Sequence, residues 1–292
     1  MTAESKQTGA VLHSGLPSRS ALTVALLRAA HQLLDTPLVF SDPLALPILG
    51  AGQRAALLAD PARFDAGLAR PVRTAVVMRS RLAEDELALA MARGVRQYVV
   101  LGAGLDTYAC RQRQGALRVF EVDHPATQDW KDGLLRQAGI GLPSNATLVP
   151  LDFEQGSLRA ALERAGCRLD QPVFFSWLGV TLYLSVEAIF DTLEFVASLA
   201  PGSAIVFDYG VALDLLGPVE RMAMEALIAQ FAAEGEPWKT LFAPGVLAAE
   251  LRTCGFSDLI DSGPQQLQQR YLAQRADRLQ AGGGSRIMLA RV

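Results

Sequence analysis

After Gly94 the chain becomes a series of short apolar runs separated by longer stretches with helical spacing. This alternation restricts the fold more than any other feature, because it marks repeated βα units around a parallel sheet. Seven runs read as strands: residues 97–101, 117–122, 147–151, 173–177, 203–209, 256–262 and 286–291. The last two flank a polar stretch and are expected to form a terminal hairpin instead of another crossover. Before Gly94, Leu22, Ala25, Leu26, Ala29 and Leu33 recur at helical spacing. Asp42-Pro43 and Asp60-Pro61 mark element boundaries, and an amphipathic helix is expected over residues 71–92, stopping at Gly94. The expectation is an α/β chain built as one structural unit. Residues 1–95 form a loose arm and a helical cap, residues 96–292 carry the sheet, and residues 211–245 form a helical insertion over the strand ends.

Composition narrows the possible partners. Half of the 292 residues are apolar and 20% are charged, enough to bury a large core. A net charge of −3 without a basic block argues against nucleic acid and anionic lipid. Cys110, Cys167 and Cys254 form no CxxC pair, so neither a disulfide framework nor a zinc knuckle is expected, and a reduced cytoplasm fits best. His13 and His31 lack acidic or cysteine companions at ligand spacing, so no metal is expected. No secretory leader is recognised, nor any apolar run of the ~18 residues a membrane span needs.

The strongest chemical signal is Val99-Val100-Leu101-Gly102-Ala103-Gly104-Leu105-Asp106-Thr107, an apolar strand entering a Gly-x-Gly turn. Glycine lets backbone approach a ligand at a strand's carboxyl end, where open α/β sheets bind small molecules. A dinucleotide fingerprint would want a third glycine where Thr107 stands, which favours a mononucleotide-like ligand over NAD. The second strand ends in Phe120-Glu121-Val122-Asp123, placing a carboxylate at the spacing ribose recognition uses. The third ends in Leu151-Asp152-Phe153, an acid able to accept from an adenine amine beside a ring able to pack on the base.

These segments, with Arg79-Ser80-Arg81, QYVVLGAGLDTYACR from Gln97, FEVDHP from Phe120, LVPLDFE from Leu148 and WLGVTLYL from Trp177, resemble the class I S-adenosylmethionine-dependent methyltransferases, and specifically their leucine carboxyl methyltransferase family. The resemblance implies a Rossmann-like sheet of about seven strands with an N-terminal helical cap, and S-adenosylmethionine as cofactor. By motif it implies that Gly102 and Gly104 border the methionine part, Asp123 the ribose, and Asp152 with Phe153 the adenine. It also implies that Arg79, in preference to Arg81, pairs the ligand carboxylate. Two departures stand out. Leu178 occupies a position that is acidic in many relatives, and Thr107-Tyr108 stands where Thr-Arg is common, which removes a surface ion pair and leaves the turn intact.

The function so implied is O-methylation, of a carboxylate in a small molecule or peptide, with Tyr183, the cap and the insertion shaping the acceptor site. A carboxylate needs no general base, whereas a phenol would call on His124 or Asp106. A binding module that has lost catalysis, or a nicotinamide-dependent oxidoreductase, are the competing readings. Cys110, Met222, Met224 and Trp238 are read as core residues, and His124 as a turn residue.

Overall fold

The computed structural model describes residues 18–292 except 113, 114, 116, 154, 155 and 278. The arm before Ser18, with His13, and Glu154 of the LVPLDFE segment lie outside the described residues. Helices α1 (Arg19–Leu34), α2 (Gly50–Ala59) and α3 (Ala69–Ala92) precede the first strand. Then follow β1 (Gln97–Leu101), α4 (Tyr108–Arg111), β2 (Arg118–Asp123), α5 (Pro125–Gln137), β3 (Ala146–Pro150), α6 (Leu158–Arg164), β4 (Phe174–Trp177), α7 (Val186–Ala197) and β5 (Ala204–Gly210). The chain closes with α8 (Pro218–Ala233), α9 (Pro244–Cys254), β6 (Asp258–Ser262), α10 (Pro264–Tyr271) and β7 (Ser285–Arg291).

All seven expected strands form, in one sheet of order β3-β2-β1-β4-β5-β7-β6. The first five are parallel, and β7 runs antiparallel to both β5 and β6. This is the Rossmann-like arrangement. The expected terminal hairpin is present as an antiparallel pair, but α10 intervenes in sequence and β7 lies inside, between β5 and β6. Strand order reverses at β1, whose neighbours are β2 and β4. Open α/β sheets bind ligands in the crevice at such a switch point.

Alternate residues of β1 serve opposite faces, as strand pleating requires. Val99 and Leu101 join Phe120, Phe175, Trp177 and Phe207 under α6, α7 and α9. Tyr98 and Val100 join Val119, Phe174 and Val206 under α3. Tyr108 belongs to this second face: it is buried and meets Tyr98 edge-on at 4.9 Å. The reading of position 108 as a surface ion-pair site is therefore corrected, because an arginine there would place its charge in the core.

The helices ahead of the sheet are fixed by buried charge pairs. Arg73 of α3 is fully buried and bonds both oxygens of Asp35, at 3.0 and 2.9 Å, and Asp65 at 2.8 Å. His31 Nε2 accepts from the Val39 and Phe40 N–H groups, leaving Nδ1 to donate to Asp35 at 2.6 Å. Burial raises the Asp35 carboxyl, but His31 and Arg73 outweigh it and its pKa lies below the ordinary value. His31 thus has a structural role. Among the described residues, no helix is long and apolar enough to cross a membrane.

Candidate active site

At the end of β1 the chain turns through Gly102 (φ +65°) and Gly104 (φ +46°), a left-handed conformation costly for other residues. Space matters as well. A Cβ on Gly102 would stand 2.3 Å from Val180 Cγ2, and one on Gly104 would be 3.1 Å from Ala21 Cβ on α1. The turn is pinned to β2, because Gly102 and Ala103 N–H donate to the Val122 carbonyl at 2.8 and 3.1 Å. Asp123 completes the lock, taking the Gly104 N–H on Oδ2 at 2.6 Å and the His124 N–H on Oδ1 at 2.7 Å. Burial pushes the Asp123 carboxyl above its ordinary pKa, against the lowering effect of those two bonds.

A cavity of about 170 Å³ opens here. It brings together Arg79, Gly102, Gly104, Asp123, Asp152, Phe153 and Tyr183, every residue that the sequence nominated for the site. Arg81 is not on its wall: it pairs with Asp85 at 2.8 Å and lies over Tyr271. Phe153 packs against Trp177 with ring centroids 6.4 Å apart. His124 lines the cavity too, but its Nδ1 accepts the Ala126 N–H at 3.2 Å and caps α5. Asp106 accepts the Tyr108 N–H at 2.7 Å. Arg28 holds α1 over the turn by pairing with Asp42 at 2.9 Å, and Thr107 donates to the same carboxylate at 2.7 Å.

A second cavity, of about 260 Å³, adjoins the first. Ser20, Val24, Arg79, Gly179 and Tyr183 belong to both walls. Arg79 pairs with Asp208 of β5 at 2.8 Å, and Asp208 also accepts the Gly179 N–H at 2.6 Å. Gly179 has φ +73°, and a Cβ there would stand 2.5 Å from Arg79 Nη2, so glycine admits the guanidinium to the dividing wall. Tyr183 sits in a short 3-10 turn, Thr181–Tyr183, with its ring edge toward Phe231 at 6.4 Å. Burial pushes its hydroxyl up to about 12.

The family model for leucine carboxyl methyltransferases matches residues 21–197. The chain belongs to the leucine carboxyl methyltransferase family. YktD of Bacillus subtilis (strain 168), named as an S-adenosyl-L-methionine-dependent methyltransferase, is 30% identical over 287 residues, covering 90% of this chain and 94% of its own. A Frankia alni protein of the same description is 35% identical over 212 residues, 71% of this chain and 72% of its own. Among solved structures, a Thermobifida fusca YX methyltransferase superposes with a TM-score of 0.58 at 18% identity, covering 98% of this chain and 99% of that one. At that identity the likeness speaks for the fold alone.

In this family member, sequence reasoning missed Asp208 and Glu236. Asp208 is a buried acid inside the apolar strand AIVFDYG, a signal that was available because such a residue is rarely buried without a partner. Glu236 lines the first cavity and accepts the Arg19 and Ser20 N–H groups at 2.9 and 2.8 Å, tying the segment after α8 to the start of α1. Two core assignments are corrected. Met222 is 63% exposed because it lies on the outer face of α8, and Trp238 lines the second cavity. Met224 is buried as expected, and it too lines the second cavity.

Proposed function

We propose that this S-adenosylmethionine-dependent methyltransferase transfers the donor methyl to a carboxylate oxygen of a small molecule. The observation that carries the reading is the pair of adjoining cavities divided by Arg79, Gly179 and Tyr183. One is edged with polar groups at a switch point, and the other is apolar.

The first cavity suits the donor chemically. Asp106, Asp123, Asp152 and Glu236 border it, set against Arg79, Lys239 and an Arg28 already engaged with Asp42, which favours a ligand that is a net cation. Asp123 would hold the ribose through lone pairs that the Gly104 and His124 N–H groups leave free. Asp152 and Phe153 would hold the adenine, Gly102 and Gly104 would border the methionine chain, and Arg79 would meet its carboxylate with N–H groups not used by Asp208. When bound, S-adenosylmethionine supplies a sulfonium methyl: a C–O bond forms as the C–S bond breaks, and an ester and a neutral thioether leave without a proton transfer. The chain's own task is then positioning and exclusion of water.

The state of the candidate base His124 supports a carboxylate acceptor. His124 Nδ1 accepts the Ala126 N–H, which puts the proton of the neutral ring on Nε2 and leaves no lone pair there to act as a base. A carboxylate, with a pKa of ~4, is already a nucleophile at neutral pH.

The test is incubation with methyl-labelled S-adenosylmethionine and a small-molecule extract, followed by mild alkali. Carboxyl esters should release labelled methanol. Label that survives alkali would move the reading to a hydroxyl acceptor, and an absence of transfer by donor-bound protein would favour a binding module.

A further inference from the structure

The second cavity is built unlike the first. At about 260 Å³ it is the larger of the two, and its chemistry differs. Most of its wall is hydrocarbon from α1, α3 and α8, with the glycines at 282–284 beneath α8. Among its described lining residues, three side chains carry charge. Arg79 and Asp208 neutralise each other, and Glu220 is exposed and belongs to the rim. No buried cation in this chamber is left without a counter-charge to bind an acid.

Two uncharged donors remain. Trp238 Nε1 is buried and makes no hydrogen bond of normal geometry. The Tyr183 hydroxyl lies beside it, with Ser20 also close. Phe231 holds both rings, stacking on Trp238 at 5.6 Å and meeting Tyr183 edge-on. An indole N–H can only donate, and the Tyr183 hydroxyl beside it is an acceptor outside good geometry, so a better-placed acceptor would complete this wall. A tyrosine hydroxyl with a pKa of ~10 is protonated at neutral pH, so that it too can donate.

Two neighbouring donors in an apolar wall complement a group that only accepts, and an ionised carboxylate is such a group. An alcohol or phenol would bring a proton of its own, while the buried carboxylate of this chamber, Asp208, has both oxygens engaged. We infer that Tyr183 and Trp238 form a two-donor clamp for the acceptor's carboxylate, and that the second cavity takes the apolar body of a small monocarboxylic acid. The inference rests on the methyl-transfer reading above. A peptide terminus fits poorly, because its backbone amides would be buried against hydrocarbon without partners. Neutral donors also suit the chemistry, since they orient the acid without cancelling the charge that attracts it to a sulfonium.

The test uses the full chain and a probe set of benzoic, phenylacetic, hexanoic and octanoic acids with their matching primary alcohols and amides. With the protein saturated by S-adenosylhomocysteine, calorimetry should show at least one acid binding, and its alcohol and amide binding at least about tenfold more weakly. Trp238→Phe keeps a ring and removes the N–H, and Tyr183→Phe removes the hydroxyl. Each should weaken the acid by about tenfold or more, leave S-adenosylhomocysteine affinity within about twofold, and raise KM more than it lowers kcat. Circular dichroism checks that both variants fold, and either one alone suffices for the comparison. If no acid binds, or acid binding is indifferent to both substitutions, the clamp is overturned. Should acids bind through the clamp while the label ends in alkali-stable ether, the clamp stands and carboxylate transfer falls. Should alkali-labile esters form undiminished in both variants, carboxylate transfer stands and the clamp falls.

Discussion

The two cavities share a wall and little else. The first is made at the ends of β1, β2 and β3, where glycine conformation, backbone N–H groups and an aspartate lock one another in place. The second is made by side chains from α1, α3 and α8, which meet across long sequence distances. A site held by backbone tolerates few substitutions, whereas one lined by helix side chains can change its occupant residue by residue. On the proposed reading, the donor half is therefore rigidly specified, and the acceptor half is adjustable.

Filling the second cavity should separate the two most sharply. Ala223 lies on the inner face of α8, and Ala223→Trp should cut methyl transfer by about a hundredfold or more while S-adenosylhomocysteine affinity holds. Single-turnover rates and calorimetry on the same preparation measure both. Loss of donor affinity in this variant would mean that the cavities are not independent.

The reverse substitution is Gly102→Ala. With a left-handed φ and a Cβ 2.3 Å from Val180, it should cost about 2–4 kcal/mol in urea unfolding and weaken donor binding. Adding Val180→Ala should recover the part due to crowding but not the part due to φ. Full recovery would show that the backbone conformation is unstrained.

Asp123→Ala should have a smaller effect, confined to the donor. Removing an acceptor of charged hydrogen bonds should weaken S-adenosylhomocysteine by about 1.5–3 kcal/mol and leave acid-probe binding in the second cavity unchanged. It should also destabilise the fold, because the Gly104 and His124 N–H groups lose their partner. Unchanged donor affinity in a folded variant would place the ribose elsewhere.

The smallest effects are those of pH. With an acceptor carboxylate ionised above ~4, single-turnover transfer should be nearly flat from pH 6 to 8. A tenfold rise per pH unit, abolished by His124→Ala, would indicate a base and a hydroxyl acceptor. Stability carries a separate signature. The folded chain holds the Tyr183 proton more tightly than the unfolded chain does, raising its pKa from 10 to about 12. This contribution is complete below pH 10 and is lost as pH rises through 12. The stability of the protein relative to Tyr183→Phe should therefore decline across that window, and a difference independent of pH would show the hydroxyl to be solvated.

Legibility in the sequence follows the same division. β1 and its glycine turn could be read because strand, turn and acid are local in sequence, and β2 and β3 follow at regular spacing. The placing of β7 between β5 and β6 could not, since an antiparallel pair separated by a helix does not reveal which partner lies inside. Asp208 sits in an apolar run that also reads as an ordinary buried strand, and its partner Arg79 lies 129 residues away. Trp238 follows Pro237 outside any periodic segment, so nothing local announces that its ring lines a cavity. Tyr108 was misplaced for a related reason: whether α4 turns inward depends on its packing with Tyr98.

Only Met224 and Phe231 of the sixteen residues in α8 are buried, and Val219 on the same helix is 74% exposed. Beneath it run three glycines, Gly282, Gly283 and Gly284, which offer backbone where other loops would interlock side chains with the helix. Stability and activity usually compete, because residues that shape a pocket also hold up the core. Here that competition is relaxed, since the helix bordering the second cavity contributes little to what the sheet buries. A protein engineer could therefore exchange the inward-facing positions of α8 as a cassette, screening for new acceptors with the donor site and the melting temperature left largely intact.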